Sequence, residues 1–301
     1  MTPDIDETPL PLLPARPTAG HKGTFGTVVV LGGCKTHDAV MLGAPALAAL
    51  GALRAGAGLA RLLAPASVLP TALALCPSAT GIPLTESPEG LDLPTAIEEF
   101  DRHTVRANAL IVGPGLGLSP EAAALTLRSI QLDSFPVVVD ADAISLLATF
   151  PELWRDFLAS AILTPHPGEY RRLASSLGIT LDPTDPTQRP HAAAALARRL
   201  GCVVVLKGAG TVVSDGLRAW TCTRGHPCMA TAGTGDVLAG VIGGLAASSR
   251  GLPLYEIARI AVDVHARAGE AWALANNASA GMLAAELAAH IPALLEPLRP
   301  R

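Results

Sequence analysis

Four short runs constrain this chain more than anything else in it: Thr27–Leu31 (TVVVL), Ala109–Val112 (ALIV), Val137–Val139 (VVV) and Val203–Leu206 (VVVL). None alternates with polar residues. A strand with one wet face alternates, whereas a strand covered on both faces reads as a continuous apolar run. Turn residues and then Ala/Leu-rich helical segments follow these runs. Strands alternating with helices imply an α/β fold with a parallel sheet and right-handed crossovers. Further strands are expected at Leu59–Leu63 and Ile162–Leu163, and a hairpin at Thr211–Ser214 and Arg218–Thr221 around Asp215-Gly216. Helices are expected over 39–55, from Pro120 behind an N-capping Ser119, and over 168–177, 191–200, 234–247 and 254–275. In the last of these, Ile257, Ile260, Val264, Ala268 and Ala271 share one face. Residues 78–94 and 182–190 read as surface loops, and no linker divides the chain. One domain over 21–301, behind an N-terminal extension of residues 1–20, is expected.

Composition narrows the function classes. The 301 residues are 50% hydrophobic and 16% charged, with a net charge of −4. A mildly acidic chain lacks the electrostatic footprint of a nucleic-acid binder. Three Trp, two Tyr and five Phe cannot furnish a base-stacking platform. The first 14 residues carry Asp4, Asp6 and Glu7 rather than a basic n-region and an apolar core, so no signal peptide is expected. The longest uncharged apolar stretch, Ala39–Leu53, is interrupted by Gly43, Pro45 and Gly51, too short and broken to span a bilayer. A soluble cytoplasmic protein without membrane or nucleic-acid partners is expected. The five cysteines are scattered without zinc-knuckle spacing and read as reduced, packed thiols. The 29 glycines and 26 prolines exceed ordinary usage and should mark loops that carry function.

The strongest chemical signal is Ala230–Gly240 (ATAGTGDVLAG). Gly233-Thr234-Gly235 stands where a loop enters a helix, and the free N–H groups there suit a phosphate. Asp236 in the first turn suits either a general base for a hydroxyl that attacks that phosphate or the ordinary preference of aspartate for a first helical turn. Lys207-Gly208-Ala209-Gly210-Thr211 follows a buried strand, at the edge where α/β sheets bind ligands. Its lysine and amides suit a nucleotide phosphate or sugar. Thr164-Pro165-His166-Pro167-Gly168-Glu169 also follows a strand, with His166 held between two prolines. Glu169 suits either a metal-bound water or the helix N-terminus. Gly113-Pro114-Gly115-Leu116-Gly117 lets backbone approach a ligand. Asp140 and Asp142 suit either a magnesium site or a helix cap. The dinucleotide-binding and P-loop fingerprints are absent.

In order, HKGTFGTVVVLGG, ALIVGPGLG, VVVDADAI, ILTPHPGEYRRL, VVVLKGAGTVV, MATAGTGDVLAGVIGGL and the helix containing VHARAGEA resemble the ADP-dependent NAD(P)H-hydrate dehydratases, a branch of the ribokinase-like superfamily. The resemblance runs from about His21 to Pro292. It implies a three-layer αβα sandwich around a mostly parallel sheet. It implies dehydration of (6S)-NADH or NADPH hydrate with ADP converted to AMP and phosphate, and Mg²⁺ bridging phosphates. It implies that Asp236 is the base and that Gly233, Thr234 and Gly235 stabilise the transferring phosphoryl group. Ala44, Gly115 or Gly117, His166 and Asp236 would contact the hydrated cofactor. Lys207, Gly208, Ala209, Gly210, Thr211 and Gly235 would contact the nucleotide, with Glu169 an indirect magnesium partner. A homotetramer served by a separate NAD(P)H-hydrate epimerase is implied, since many bacterial relatives carry a fused epimerase domain for which 301 residues leave no room. A ribokinase-like kinase for a hydroxymethylpyrimidine or thiazole alcohol is the alternative. The chain departs from the family pattern at Cys34, His226, Cys228 and Ala232.

Overall fold

The computed structural model describes residues 2–88, 90–150 and 152–300. Ten strands form the central sheet: β1 (Asp4–Ile5), β2 (Thr27–Leu31), β3 (Leu59–Pro65), β4 (Thr80–Leu84), β5 (Ala109–Val112), β6 (Val137–Val139), β7 (Ala161–Leu163), β8 (Val203–Leu206), β9 (Val212–Ser214) and β10 (Arg218–Thr221). Their order is β1-β10-β9-β8-β7-β6-β5-β2-β3-β4, and every neighbouring pair is parallel except those that β9 makes. The helices are α1 (Gly43–Arg54), α2 (Leu69–Leu75), α3 (Leu93–Thr104), α4 (Pro120–Ile130), α5 (Asp142–Leu147), α6 (Leu153–Asp156), α7 (Pro167–Ser176), α8 (Arg189–Leu200), α9 (Thr234–Ser248), α10 (Leu254–Asn276) and α11 (Ala284–Leu295).

The uninterrupted apolar runs are the central strands, and successive residues serve opposite faces. Val28, Val30, Ile111 and Val205 enter one core with α1, α9, α10 and α11. Val29, Leu31, Val112 and Val204 enter the other with α3, α4, α5, α7 and α8. This is the three-layer arrangement, and it explains why no alternation was present to read.

On the first face α1 and α9 lie unusually close. A Cβ on Gly240 would stand 2.2 Å from the Ala48 carbonyl oxygen, and one on Gly244 2.5 Å from that of Ala52. The glycines of α9 thus let two backbones touch. That contact sets the first turn of α9, with Gly233-Thr234-Gly235, beside the first turn of α1.

Two expectations are corrected. The segment 78–94 is not a loop: it holds the edge strand β4, a small hairpin (Glu86–Ser87 with Gly90–Leu91) and the start of α3. Gly81 and Pro83 in β4 disguised the strand, and an edge position tolerates the proline. The helix expected from residue 39 begins only at Gly43, because Val40–Met41 pairs with Cys34–Lys35 in a hairpin over the site side of the sheet.

Residues 4–8 are built into the domain. β1 pairs with β10, and Asp6 accepts hydrogen bonds from Thr8 and from the Tyr255 hydroxyl at 2.9 Å. Buried Arg259 lies 3.4 Å from Asp6 and 2.8 Å from Glu256, and it donates to the Thr8 carbonyl. Among the described residues no helix is long and apolar enough to cross a membrane. All five cysteines are free.

The α1–α9 contact gives a direct test. Gly240→Ala should cost about 1–3 kcal/mol through overpacking and lower the Tm by several degrees in a thermal melt. Gly43→Ala, which meets nothing within 4 Å, should leave the Tm unchanged.

Candidate active site

The parallel strands β6, β7 and β8 are neighbours, so their carboxyl ends bring Asp140, Thr164 and Lys207 together. The Lys207 Nζ donates to Asp140 Oδ1 at 2.7 Å, and the Thr164 hydroxyl donates to the same oxygen at 2.6 Å. Nζ also lies 4.0 Å from Glu169 Oε2. Asp236, in the first turn of α9, feels the Lys207 charge and those of Asp140, Asp142 and Glu169. Three carboxyl groups therefore share one ammonium.

The protonation equilibria follow from burial together with that shortage of positive charge. Burial, reinforced by Asp140, pushes the Asp236 carboxyl up to about 7 despite Lys207. Burial likewise pushes Glu169 to about 7, although Lys207 and the His166 amide oppose it. Burial favours the neutral form of Lys207, but Asp140 and Glu169 outweigh it and hold the ammonium above its ordinary range. Desolvation lowers His265 to about 4, so its neutral ring donates from Nε2 to the Thr234 carbonyl at 2.8 Å. That bond fixes the first turn of α9 from α10.

The Thr164–Glu169 segment is a helix cap. The His166 Nδ1 accepts from the Gly168 amide at 2.9 Å, and Glu169 Oε2 accepts from the His166 amide at 2.8 Å. Of the two prospects raised for Glu169, the helix N-terminus is the one seen: it caps α7, and its Oε2 also lies 4.0 Å from the Lys207 Nζ. Asp140 and Asp142 separate in role: Asp140 pairs with Lys207, while Asp142 Oδ2 accepts from the Gly117 amide at 2.8 Å. Between them Ala141 is held at φ +50°, a left-handed conformation that costs free energy away from glycine. It turns the chain so that the two carboxylates serve different walls.

One wall is the Lys207–Thr211 loop with Thr234 and Gly235, which lines a cavity of about 650 Å³. The rest of its lining includes Cys222 to Gly225, Met229 and Val262, which the sequence did not single out, and His226, one of the departures from the family pattern. The other wall joins Ala44, Gly115 and Gly117: a Cβ on Gly115 would stand 3.4 Å from that of Ala44. Neither these three residues nor His166 lines the large cavity. Asp236 links the two walls, since charges from both (Lys207 and Asp142) act on it. Gly233, at φ +90°, abuts Leu47 of α1. Of the departures from the family pattern, Cys228 is buried against the Gly269 carbonyl and Met282, Ala232 is exposed, and only His226 faces the cavity.

The family model for NAD(P)H-hydrate dehydratase matches residues 28–293. The chain is 37% identical over 289 residues to the bifunctional NAD(P)H-hydrate repair enzyme Nnr of Coxiella burnetii, covering 95% of this chain and 54% of that protein. It is 35% identical over 240 residues to the ATP-dependent (S)-NAD(P)H-hydrate dehydratase of Bos taurus, covering 78% and 69%. The chain spans about half the length of the bifunctional relatives it matches. The crystal structure of the ADP/ATP-dependent NAD(P)H-hydrate dehydratase from Bacillus subtilis, co-crystallised with ATP/Mg²⁺, is similar with a TM-score of 0.74 at 28% identity, covering 96% and 95% of the two chains. A ribokinase-like superfamily protein from Enterococcus faecalis, 24% identical with a TM-score of 0.75 and covering 96% and 93%, shares the fold.

Asp236 and Glu169 bind protons more tightly in the folded chain than in the unfolded one. Their contribution to stability is therefore present below the ordinary carboxylate range and is lost as pH rises through about 7. Lys207→Met should then cost about 3–5 kcal/mol at pH 8, where it leaves ionised carboxylates uncompensated, and distinctly less at pH 5. Urea unfolding at the two pH values measures this, and equal losses would mean that charge is not the cause.

Proposed function

Because the chain belongs to the NAD(P)H-hydrate dehydratase family, we propose that it dehydrates NADH and NADPH hydrates at the expense of a nucleotide phosphoryl group. ADP is the co-substrate we favour, giving AMP and phosphate. The named relatives use ATP or either nucleotide, so ATP belongs in the same assay. The single observation that carries the reading is Asp236, a carboxyl pushed up to about 7 in the first turn of α9 beside Lys207. Such a group takes up a hydroxyl proton near neutral pH more readily than an ordinary aspartate.

The chemistry is phosphoryl transfer followed by elimination. The ring hydroxyl at C6 is a poor leaving group. Asp236 accepts its proton as the oxygen attacks the terminal phosphorus of the nucleotide. The Gly235 amide and the turn fixed by His265 face the charge that develops. The ring-nitrogen lone pair then expels phosphate from C6, and loss of a C5 proton restores the double bond. Lys207–Thr211 and Gly235 would hold the nucleotide. Ala44, Gly115, Gly117 and His166 would line the hydrated-cofactor side.

Magnesium fits the donor set. Asp140 and Glu169 are hard oxygen donors in a cluster short of positive charge, and among the described residues no three side chains form a metal cage by themselves. Such a site suits an ion held by a carboxylate, water and substrate phosphates. When bound it would neutralise phosphate charge. We read the protein as cytoplasmic and as a homo-oligomer, a tetramer by analogy. Exposed apolar side chains such as Leu118, Leu217 and Leu274 support the oligomer. A separate epimerase would supply the (6S) substrate.

The deciding experiment supplies hydrated NADH with ADP or ATP and Mg²⁺, and follows AMP (or ADP) together with recovery of reduced-nicotinamide absorbance. A stable phosphorylated product would instead favour a kinase. Asp236→Asn should lower kcat by about 10²–10⁴. The kcat/KM of the wild type should fall as pH drops below about 7, where Asp236 becomes protonated.

A further inference from the structure

Arg189, the first residue of α8, is 7% exposed. Among the described residues it has no carboxylate partner, and burial alone acts on its guanidinium. Its bonds go to carbonyl oxygens instead: to Pro183 at 2.6 Å, Leu206 at 3.0 Å, Gly210 at 3.3 Å and Lys207 at 3.4 Å. Its Nε has no hydrogen-bond partner. Burying an uncompensated cation is costly, and a packed apolar side chain would serve the core better. Three of the four carbonyls belong to the strand end and loop that carry Lys207–Thr211.

The consequence follows from peptide geometry. In a trans peptide the C=O and N–H point opposite ways. Drawing the Lys207 and Gly210 carbonyls onto Arg189 turns the Gly208 and Thr211 amides away from it. Among the described residues none of the amides of Gly208, Ala209, Gly210 and Thr211 donates to the backbone or to a side chain. The loop separates the 650 Å³ cavity from a smaller one of about 420 Å³ that Arg189 lines. Gly208 leaves no slack there, since a Cβ on it would meet the guanidinium at 3.2 Å.

We propose that Arg189 is the positioning residue of the nucleotide loop. It clamps the loop from behind by its carbonyls, presents the freed amides to the nucleotide phosphates, and places a positive charge beneath them. This rests on the reading that the loop holds the nucleotide. Lysine cannot replace the planar fork that reaches several carbonyls at once.

Calorimetric titration with MgADP is run on wild type, Arg189→Lys and Arg189→Ala, together with KM values for nucleotide and for hydrated NADH. Wild type should bind ADP. Arg189→Lys should weaken ADP binding by about tenfold to a hundredfold and raise the nucleotide KM in step, with the hydrate KM unchanged. Added guanidinium ion should restore ADP binding to Arg189→Ala. If wild type binds no ADP, the nucleotide reading fails and this proposal falls with it. If wild type binds and Arg189→Lys binds equally well, or both KM values rise together, or guanidinium restores nothing, the role of Arg189 alone is refuted. Loss of the folded state in Arg189→Lys would assign the residue to the core and overturn the proposal as well.

Discussion

One ammonium group holds the centre of this molecule together. Lys207 stands at the end of β8 and is bonded to Asp140 at the end of β6, across the intervening β7 that supplies Thr164. Without that charge, Asp140, Glu169 and Asp236 would face one another in a poorly solvated cleft. With it they are tolerated but not fully compensated, and burial, with a smaller push from Asp140, keeps two of them reluctant to ionise. The strand order creates the arrangement, because only adjacent parallel strands place three successive carboxyl ends within reach of one side chain. The catalytic proposal depends on the same imbalance. A second lysine beside Asp236 would oppose the burial that holds its carboxyl near neutrality.

The close approach of α1 and α9 is the second dependency. Gly240 and Gly244 let the helices touch along their backbones, and this carries the first turn of α9 against α1 at Leu47. The first turn of α9 is thereby fixed from three sides: by α1, by His265 of α10, and by its own Thr234 hydroxyl, which donates to the Met229 and Thr231 carbonyls. Packing and chemistry are not separable here, since the helix that presents Asp236 is also the helix buried most completely in the core.

The central strands were legible because a run such as VVVL has only one comfortable environment, and the glycine loops after them were legible because strand ends are where such loops matter. The motifs around Asp236, Lys207 and His166 were visible for the same reason. What escaped was set by distance along the chain. Nothing near Asp6 announces that its partner is Arg259, 253 residues away by sequence numbering. β4 escaped because Gly81 and Pro83 hide an edge strand inside a turn-like composition. The rest of the cavity lining escaped because Cys222, Met229 and Val262 read as ordinary core residues until the fold gathers them around the same cavity as the loop. Arg189 escaped because it ends the polar, proline-rich stretch 182–190, which reads as a surface loop, and only three-dimensional packing shows that it opens α8 and is buried.

The pinning of residues 4–8 bears on how this sheet meets other molecules. A sheet edge presents a row of unpaired amides and carbonyls that invites pairing with foreign strands. Here the β10 edge is occupied by the chain's own β1, through the Asp4 and Asp6 amides, which donate to the Leu217 and Ala219 carbonyls at 2.9 Å. Asp6 is locked in turn by Arg259 and Tyr255. The short strand thus acts as a self-supplied cover for β10, held in place by the bonds of Asp6 to Arg259, Tyr255 and Thr8 rather than by the strand's own two residues alone.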